Sequence, residues 1–127
     1  MDTYKVLALV ADDDSDTRDL LKLVLESDRY SAIEVTNGKE LIEKARAENP
    51  SLIISDVMMP YMNGYEAIIK LRENPLFQKT PVLFISCIVT NGPLVQQMKK
   101  MSNATFMEKP FTPQTLLKTI NSLLISQ

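Results

Sequence analysis

The sequence predicts an α/β fold in which five β-α units form a doubly wound parallel sheet with helices on both faces. Three observations predict it. Apolar, strand-sized segments alternate with segments of helical periodicity five times; the first, third and fourth strand segments are almost wholly apolar; and the second and fifth carry charged residues. Central strands of a parallel sheet are continuously apolar, whereas edge strands need not be. The expected strand order is therefore 2-1-3-4-5.

The first two units are defined by the spacing of their apolar residues. Residues 6–11 are a short apolar run typical of a buried strand, and residues 15–26 repeat leucine and valine at helical spacing. Residues 31–36 alternate around Ile33 and Val35, which is typical of a strand with one exposed face. Residues 39–48 return to helical spacing, with the oppositely charged Glu40 and Lys44 at i,i+4 spacing.

The last three units repeat this pattern. Residues 52–54 are apolar, and the turn-forming residues 60–64 lead into a helix with apolar side chains at 65–71 that ends before Pro75. Residues 82–85 form the next strand, and Asn91-Gly92-Pro93 opens a helix with apolar side chains between 94 and 101. After a short strand at 105–108, Thr112 is expected to cap the final helix, which begins at Pro113.

The composition excludes several classes of protein. A chain of 127 residues, 45% hydrophobic and 24% charged, suits one soluble domain over residues 1–127. The net charge of −2 gives no overall field that favours nucleic acid, which leaves a local basic patch as the open alternative. No apolar run could span a membrane, so a cytoplasmic location is expected. The absence of histidine excludes histidine-dependent catalysis. Cys87 is the single cysteine, which excludes an internal disulfide, and it is expected to be a buried small side chain.

Charged and hydroxyl side chains follow the ends of four strands. Asp12 and Asp13 follow the first, Asp56 the third, Ser86 the fourth and Lys109 the fifth. Ligands of open α/β sheets bind at the carboxyl ends of the strands, near the point where the winding reverses. Carboxylates crowded at this edge predict a Mg²⁺ site. Ser86 and Lys109 would then face a phosphoryl group beside the cation.

Asp56 is the best candidate for a nucleophile. A carboxylate can itself accept a phosphoryl group as an aspartyl phosphate. Asp56 lies at a strand end and precedes the loop VMMPYMNG, which leaves Asp12 and Asp13 to hold the metal. Asp14 and Asp16 are expected to lie at the positive N-terminal end of the first helix.

Four segments together resemble the receiver domain of two-component response regulators, in particular the single-domain chemotaxis type. They are VADDDSDTR, IISDVMMPYMNGYE, VLFIS and FMEKPF, and the resemblance covers essentially the whole chain. It implies a flavodoxin-like fold and phosphorylation of Asp56 by a sensor histidine kinase or phosphotransfer protein. The implied ligands of Mg²⁺ are Asp12, Asp13, Asp56 and the Met58 carbonyl, and the implied ligands of the phosphoryl oxygens are Ser86 and Lys109.

The same resemblance implies a switch. Ser86 and Phe106 match the hydroxyl and aromatic positions that move on phosphorylation and reshape the surface of the fourth helix, fifth strand and fifth helix. This surface would meet a downstream protein target or an attached output domain, without direct contact to nucleic acid or membrane. Met58 and Ile88 are apolar where rapidly dephosphorylating members carry polar groups, so the domain is expected to catalyse its own phosphotransfer and a slow dephosphorylation only. The Lys109–Pro110 bond is expected to be cis.

Other functions fit the sequence less well. Asp12, Asp14 and Asp16 imitate an EF-hand loop, but Thr17 and Leu23 occupy the glycine and glutamate positions. A phosphatase of the haloacid dehalogenase type uses a D-x-D pair and a cap domain, for which the chain lacks room. The alternative is a receiver-shaped interaction module that is not phosphorylated. The sequence leaves open the cognate kinase, the output target, the oligomeric state and whether the domain stands alone or belongs to a longer regulator or hybrid kinase.

Overall fold

A computed structural model describes residues 5–87 and 92–125 of the chain and shows five β-α units. The strands are β1 Val6–Ala11, β2 Tyr30–Val35, β3 Leu52–Asp56, β4 Val82–Ser86 and β5 Ala104–Glu108. The helices are α1 Ser15–Glu26, α2 Gly38–Glu48, α3 Gly64–Leu71, α4 Pro93–Lys100 and α5 Pro113–Ile125. Each predicted element is present, and a short 3-10 helix, Pro75–Phe77, was not predicted. Asn91, expected before α4, lies outside the described residues.

The sheet is parallel and has the order β2-β1-β3-β4-β5, which confirms the predicted topology. The two strands that carry glutamates, β2 with Glu34 and β5 with Glu108, are its edges. The pairing of Ala11 with Ser55 and of Asp56 with Ile85 aligns the ends of the three central strands. The carboxyl ends of β1, β3, β4 and β5 therefore meet at one edge.

Helices cover both faces of the sheet, as a doubly wound fold requires. Successive residues of β1 alternate between two hydrophobic clusters: Leu9 and Ala11 pack with α2, α3 and α4, whereas Ala8 and Val10 pack with α1 and α5. This explains why the central strands are apolar on both sides. Within the described part of the chain, no helix combines the length and the apolar character needed to cross a membrane.

Side-chain caps fix the helix starts beside the functional edge. Asp14, expected at the start of α1, caps that helix by accepting hydrogen bonds from the Thr17 amide (3.2 Å) and hydroxyl (2.6 Å), and Thr112 caps α5 as predicted. Asn37 caps α2, and Asn63 caps α3 in a reciprocal pair with Glu66. Such caps satisfy amides that the first helical turn leaves without partners. They hold the loops that connect the strand ends to the helices.

Tyr30 provides a stability prediction. Its side chain is fully buried, and its hydroxyl has no hydrogen-bond partner among the described residues. An unsatisfied buried hydroxyl is destabilising, so Tyr30→Phe should raise the free energy of unfolding by about 1 kcal/mol. Urea denaturation measures this change, with Tyr65→Phe, at a partly exposed tyrosine, as the control. A loss of stability in Tyr30→Phe that Tyr65→Phe does not share would contradict the prediction.

Candidate functional site

Acidic side chains from two strand ends converge with one lysine. Carboxylate oxygens of Asp12, Asp13 and Asp56 lie within 4.8 Å of one another. The Lys109 Nζ lies 3.0 Å from Asp12 Oδ2 and 3.4 Å from Asp56 Oδ2. Asp12 is fully buried, Asp56 is 6% exposed and Asp13 is exposed. The site is thus a pocket with a buried floor and an open mouth.

Asp12 is held by contacts to both its main chain and its side chain. Its amide donates to the Val35 carbonyl (3.1 Å), and its carbonyl accepts from Arg18 Nη1 (2.7 Å). Its Oδ1 accepts from the Asp14 amide (2.9 Å), and its Oδ2 faces Lys109. The end of β1 therefore has little freedom to move.

Arg18 is a residue of this site that the sequence analysis missed. Arg18 follows several acidic residues at the start of α1, and a basic side chain in such a position is usually a solvated charge. A cation near a helix N-terminus opposes the helix dipole, so a specific partner for it is to be expected. That position was the signal that could have identified Arg18.

Asp56 is fixed by the loop that follows β3. Its Oδ1 accepts a hydrogen bond from the Met58 amide (3.2 Å), and its carbonyl accepts one from Ser55 Oγ (2.9 Å). The Gly64 amide donates to the Val57 carbonyl (2.8 Å), which brings the start of α3 against the end of β3. The Met58 side chain, two residues after Asp56, is exposed. Asp56 thus combines a fixed carboxylate with an approach from solvent.

Ser86 and Lys109 lie at adjacent strand ends. Ser86 is buried at the end of β4, and its carbonyl accepts a hydrogen bond from the Lys109 amide (2.9 Å). The Lys109–Pro110 peptide is cis, which confirms that expectation. Phe106 lies away from the pocket: it pairs with Phe84 across β4 and β5 and packs, partly buried, on the α2-α3-α4 side of the sheet.

The protonation of the pocket reflects burial and close charges. Burial raises the pKa of Asp56 most, because it disfavours the charged carboxylate, and the negative charge of Asp12 raises this pKa further. Lys109 and the Met58 amide act in the opposite direction and lower it in part. Burial opposes the charged form of Lys109, but the hydrogen bonds and charges of Asp12 and Asp56 outweigh it and raise the pKa of Lys109. Lys109 is therefore an ammonium at neutral pH.

The donor set fits a divalent cation. The three carboxylates that converge within 4.8 Å carry more negative charge than Lys109 balances. Among the described residues, Lys109 is the one ammonium that contacts them. Oxygen donors of this kind suit a small, hard cation such as Mg²⁺. Burial is the main cause of the raised pKa of Asp56, and a divalent ion would offset the second cause, the negative charge of Asp12.

Two predictions concern the residues that follow β4. Cys87 is exposed, so its predicted burial is wrong; β4 ends at Ser86, and the burial pattern of the strand does not extend to the next residue. Ile88, expected to flank the pocket beside Met58, lies outside the described residues. Of the two residues on which the prediction of slow dephosphorylation depends, the structure therefore describes only Met58, which is exposed.

The chain is similar to proteins of a known family. The family model for the response regulator receiver domain matches residues 8–121. The response regulator Rre1 of Synechocystis sp. is 32% identical over 120 residues, which are 94% of this chain and 52% of Rre1. An uncharacterized 14.6 kDa protein of Leptolyngbya boryana is 31% identical over 118 residues, or 93% of this chain and 89% of that protein. The chain thus spans most of one relative but about half of the other.

Solved structures give the same result. The chemotaxis response regulator CheY4 of Vibrio cholerae has a TM-score of 0.85 at 30% identity, covering 94% of this chain and 98% of CheY4. A response regulator from Chloroflexus aurantiacus has a TM-score of 0.86 at 26% identity, covering 95% and 98%. With its strand order, its acidic pocket and a family match over nearly its whole length, the chain belongs to the response regulator receiver domain family, the phosphoacceptor signalling domain of two-component systems.

Proposed function

We propose that this domain accepts a phosphoryl group on Asp56 from a phosphohistidine of a sensor histidine kinase or phosphotransfer protein. The observation that carries the proposal is the convergence of Asp12, Asp13 and Asp56 within 4.8 Å, with Lys109 in contact with two of them. A pocket that only stabilised the fold would have no need of three adjacent carboxylates, because their repulsion is unfavourable. Their cost is offset when the site binds a cation.

The proposed ligands of Mg²⁺ are the carboxylates of Asp12, Asp13 and Asp56 and the main-chain carbonyl of Met58. Receiver domains generally bind Mg²⁺ at such an acidic pocket, and the three carboxylates here support the same use. When bound, the ion neutralises negative charge on the phosphoryl oxygens and on Asp56. The exposed carboxylate of Asp13 gives the ion a route into the pocket from solvent.

The transfer itself is a substitution at phosphorus. One carboxylate oxygen of Asp56 forms the new O–P bond, while the N–P bond to the donor imidazole breaks and the imidazole nitrogen keeps the electron pair and takes up a proton. Lys109, already 3.4 Å from Asp56 Oδ2, is placed to pair with a phosphoryl oxygen. Ser86, at the neighbouring strand end, is the proposed hydroxyl donor to another. The domain would thus catalyse its own phosphorylation, followed by slow dephosphorylation.

The signal is proposed to leave through the α4-β5-α5 surface. Ser86 and Phe106 would change position on phosphorylation, and Phe106 has the partly buried setting that a movable aromatic needs. The receiver of such a signal would be a downstream protein or an attached output domain, contacted in the cytoplasm, and residues 1–127 would act as one domain. The alternative remains a receiver-shaped module that binds partners without phosphorylation.

One experiment separates these functions. The protein is incubated with acetyl phosphate in Mg²⁺, or in EDTA at matched ionic strength, and its intact mass is followed with time. We expect one added phosphoryl group in Mg²⁺ and a rate about a hundredfold lower in EDTA, because the ion stabilises charge in the transition state. No incorporation under either condition would favour the interaction module, and equal rates in both would contradict the proposed role of the metal.

A further inference from the structure

Arg18 links the acidic pocket to the edge of the sheet. Its Nη1 donates to the Asp12 carbonyl at 2.7 Å, and its Nε lies 3.4 Å from Glu34 Oε1 on β2. The Arg18 side chain is only 17% exposed, so this is not a solvated surface charge. Lys22, one turn further along α1, contacts the other oxygen of Glu34 at 3.6 Å but is 43% exposed.

The contact to the Asp12 carbonyl matters because of the peptide to which it belongs. That carbonyl and the Asp13 amide form one planar unit, so a hydrogen bond to the oxygen fixes the direction in which the chain continues. The other three polar contacts of Asp12 hold its own amide and carboxylate. Arg18 alone among these contacts acts on the peptide that leads to Asp13, the exposed carboxylate of the pocket.

Glu34 supports this geometry from the other side. Its carboxylate pairs with Arg18 Nε and leaves Nη1 directed at the Asp12 carbonyl. A guanidinium can make both contacts at once because its donors diverge in a fixed plane, whereas an ammonium is a compact point charge. Arg18 therefore connects α1 to both the end of β1 and β2, whereas Lys22 connects α1 to β2 alone.

We propose that Arg18 is a positioning residue for the cation site: it fixes the Asp12–Asp13 peptide so that Asp13 points into the pocket, with Glu34 holding the guanidinium. The inference rests on the proposed function, since it concerns the affinity of the same pocket for Mg²⁺. Groups that orient metal ligands from behind typically change metal affinity by about ten- to a hundredfold when they are removed.

Charge and position predict opposite effects, which makes the inference testable. Arg18 carries a positive charge close to a cation site, so its charge alone weakens Mg²⁺ binding, and removal of the charge alone would strengthen it. If Arg18 positions Asp13, its removal weakens binding instead. Lys22 offers a matched control because it has the same charge and the same partner, Glu34, but makes no hydrogen bond or ion pair with Asp12.

The experiment compares Arg18→Gln, Arg18→Lys and Lys22→Gln with wild type. Mg²⁺ affinity is measured by isothermal titration calorimetry, and urea unfolding in EDTA checks that each variant is folded. We expect Arg18→Gln to bind Mg²⁺ about tenfold more weakly, Arg18→Lys to recover part of this loss, and Lys22→Gln to bind as tightly as wild type or slightly more tightly. The amide resonance of Asp13 in the metal-free protein should shift in Arg18→Gln and stay unchanged in Lys22→Gln.

The outcomes separate this inference from the proposed function. If wild type binds Mg²⁺ and folded Arg18→Gln binds it equally or more tightly, the positioning role is overturned and the proposed function stands. If Lys22→Gln loses as much affinity as Arg18→Gln, the effect passes through Glu34, the partner that both residues share, and the role of the Asp12 contact is again overturned. If wild type itself does not bind Mg²⁺, both the proposed metal site and this inference fail.

Discussion

Asp56→Asn should take up no phosphoryl group from acetyl phosphate and Mg²⁺, whereas wild type should take up one. An asparagine amide has nearly the shape of the carboxylate but lacks the nucleophilic oxygen needed to form the acyl phosphate. Asp56 is 6% exposed and contacts Lys109 and the Met58 amide, and the oxygen of an asparagine amide can still accept from both, so the variant should stay folded. Intact mass after incubation measures the result directly.

Asp16→Asn is the matched control for this substitution. Asp16 is an exposed acid in the first turn of α1 and, like Asp56, loses one negative charge in the variant. It should be phosphorylated like wild type, which separates loss of the phosphoacceptor from loss of charge near the pocket. Equal incorporation in Asp56→Asn and wild type, with both proteins folded, would refute Asp56 as the acceptor.

The sequence was informative where a local pattern determines a local structure. Strand polarity predicted the central strands and the edges, and the helix cap at Thr112 followed from a side chain that binds the backbone of its own first helical turn. The convergence of Asp12, Asp13 and Asp56 followed in turn, because parallel strands place their carboxyl ends together. The structure confirms this placement, while the chemical roles of these residues remain predictions.

What the sequence did not reveal depends on contacts between elements. In the sequence Arg18 is an ordinary helix residue. Its partners, Glu34 and the Asp12 carbonyl, lie on other elements and are brought to it by the packing of α1 beside β2. Cys87 was assigned to the interior from the apolar strand before it, but a strand's burial ends with its pairing, and β4 pairs only as far as Ser86. The sequence predicts Gly64 as a turn residue. Its importance lies in the close approach of its backbone to the Asp56 carbonyl, which no local sequence pattern predicts.

Gly64→Ala is expected to be the most destabilising small substitution near the pocket. A Cβ at Gly64 would overlap the Asp56 carbonyl oxygen and come within 2.5 Å of Ser55 Oγ. The backbone cannot easily retreat, because the Gly64 amide is bound to the Val57 carbonyl and Asn63 caps the helix that starts here. Overpacking of a rigid site costs about 3 kcal/mol. Since the displaced group is the main chain of Asp56, the rate of phosphorylation should also fall, by about tenfold or more.

Gly38→Ala is a matched control, because Gly38 is also the first residue of a helix capped by asparagine. Its added Cβ would lie 2.9 Å from the Met62 carbonyl oxygen and 3.0 Å from the Met62 Cβ, so Met62 must move, but less far than the Asp56 carbonyl beside Gly64. We expect a loss of about 1 kcal/mol and an unchanged rate of phosphorylation. Urea unfolding in EDTA and the phosphorylation time course test both variants. A Gly64→Ala protein as stable and as reactive as Gly38→Ala would show that the close approach of α3 to Asp56 does not hold the phosphoacceptor in place.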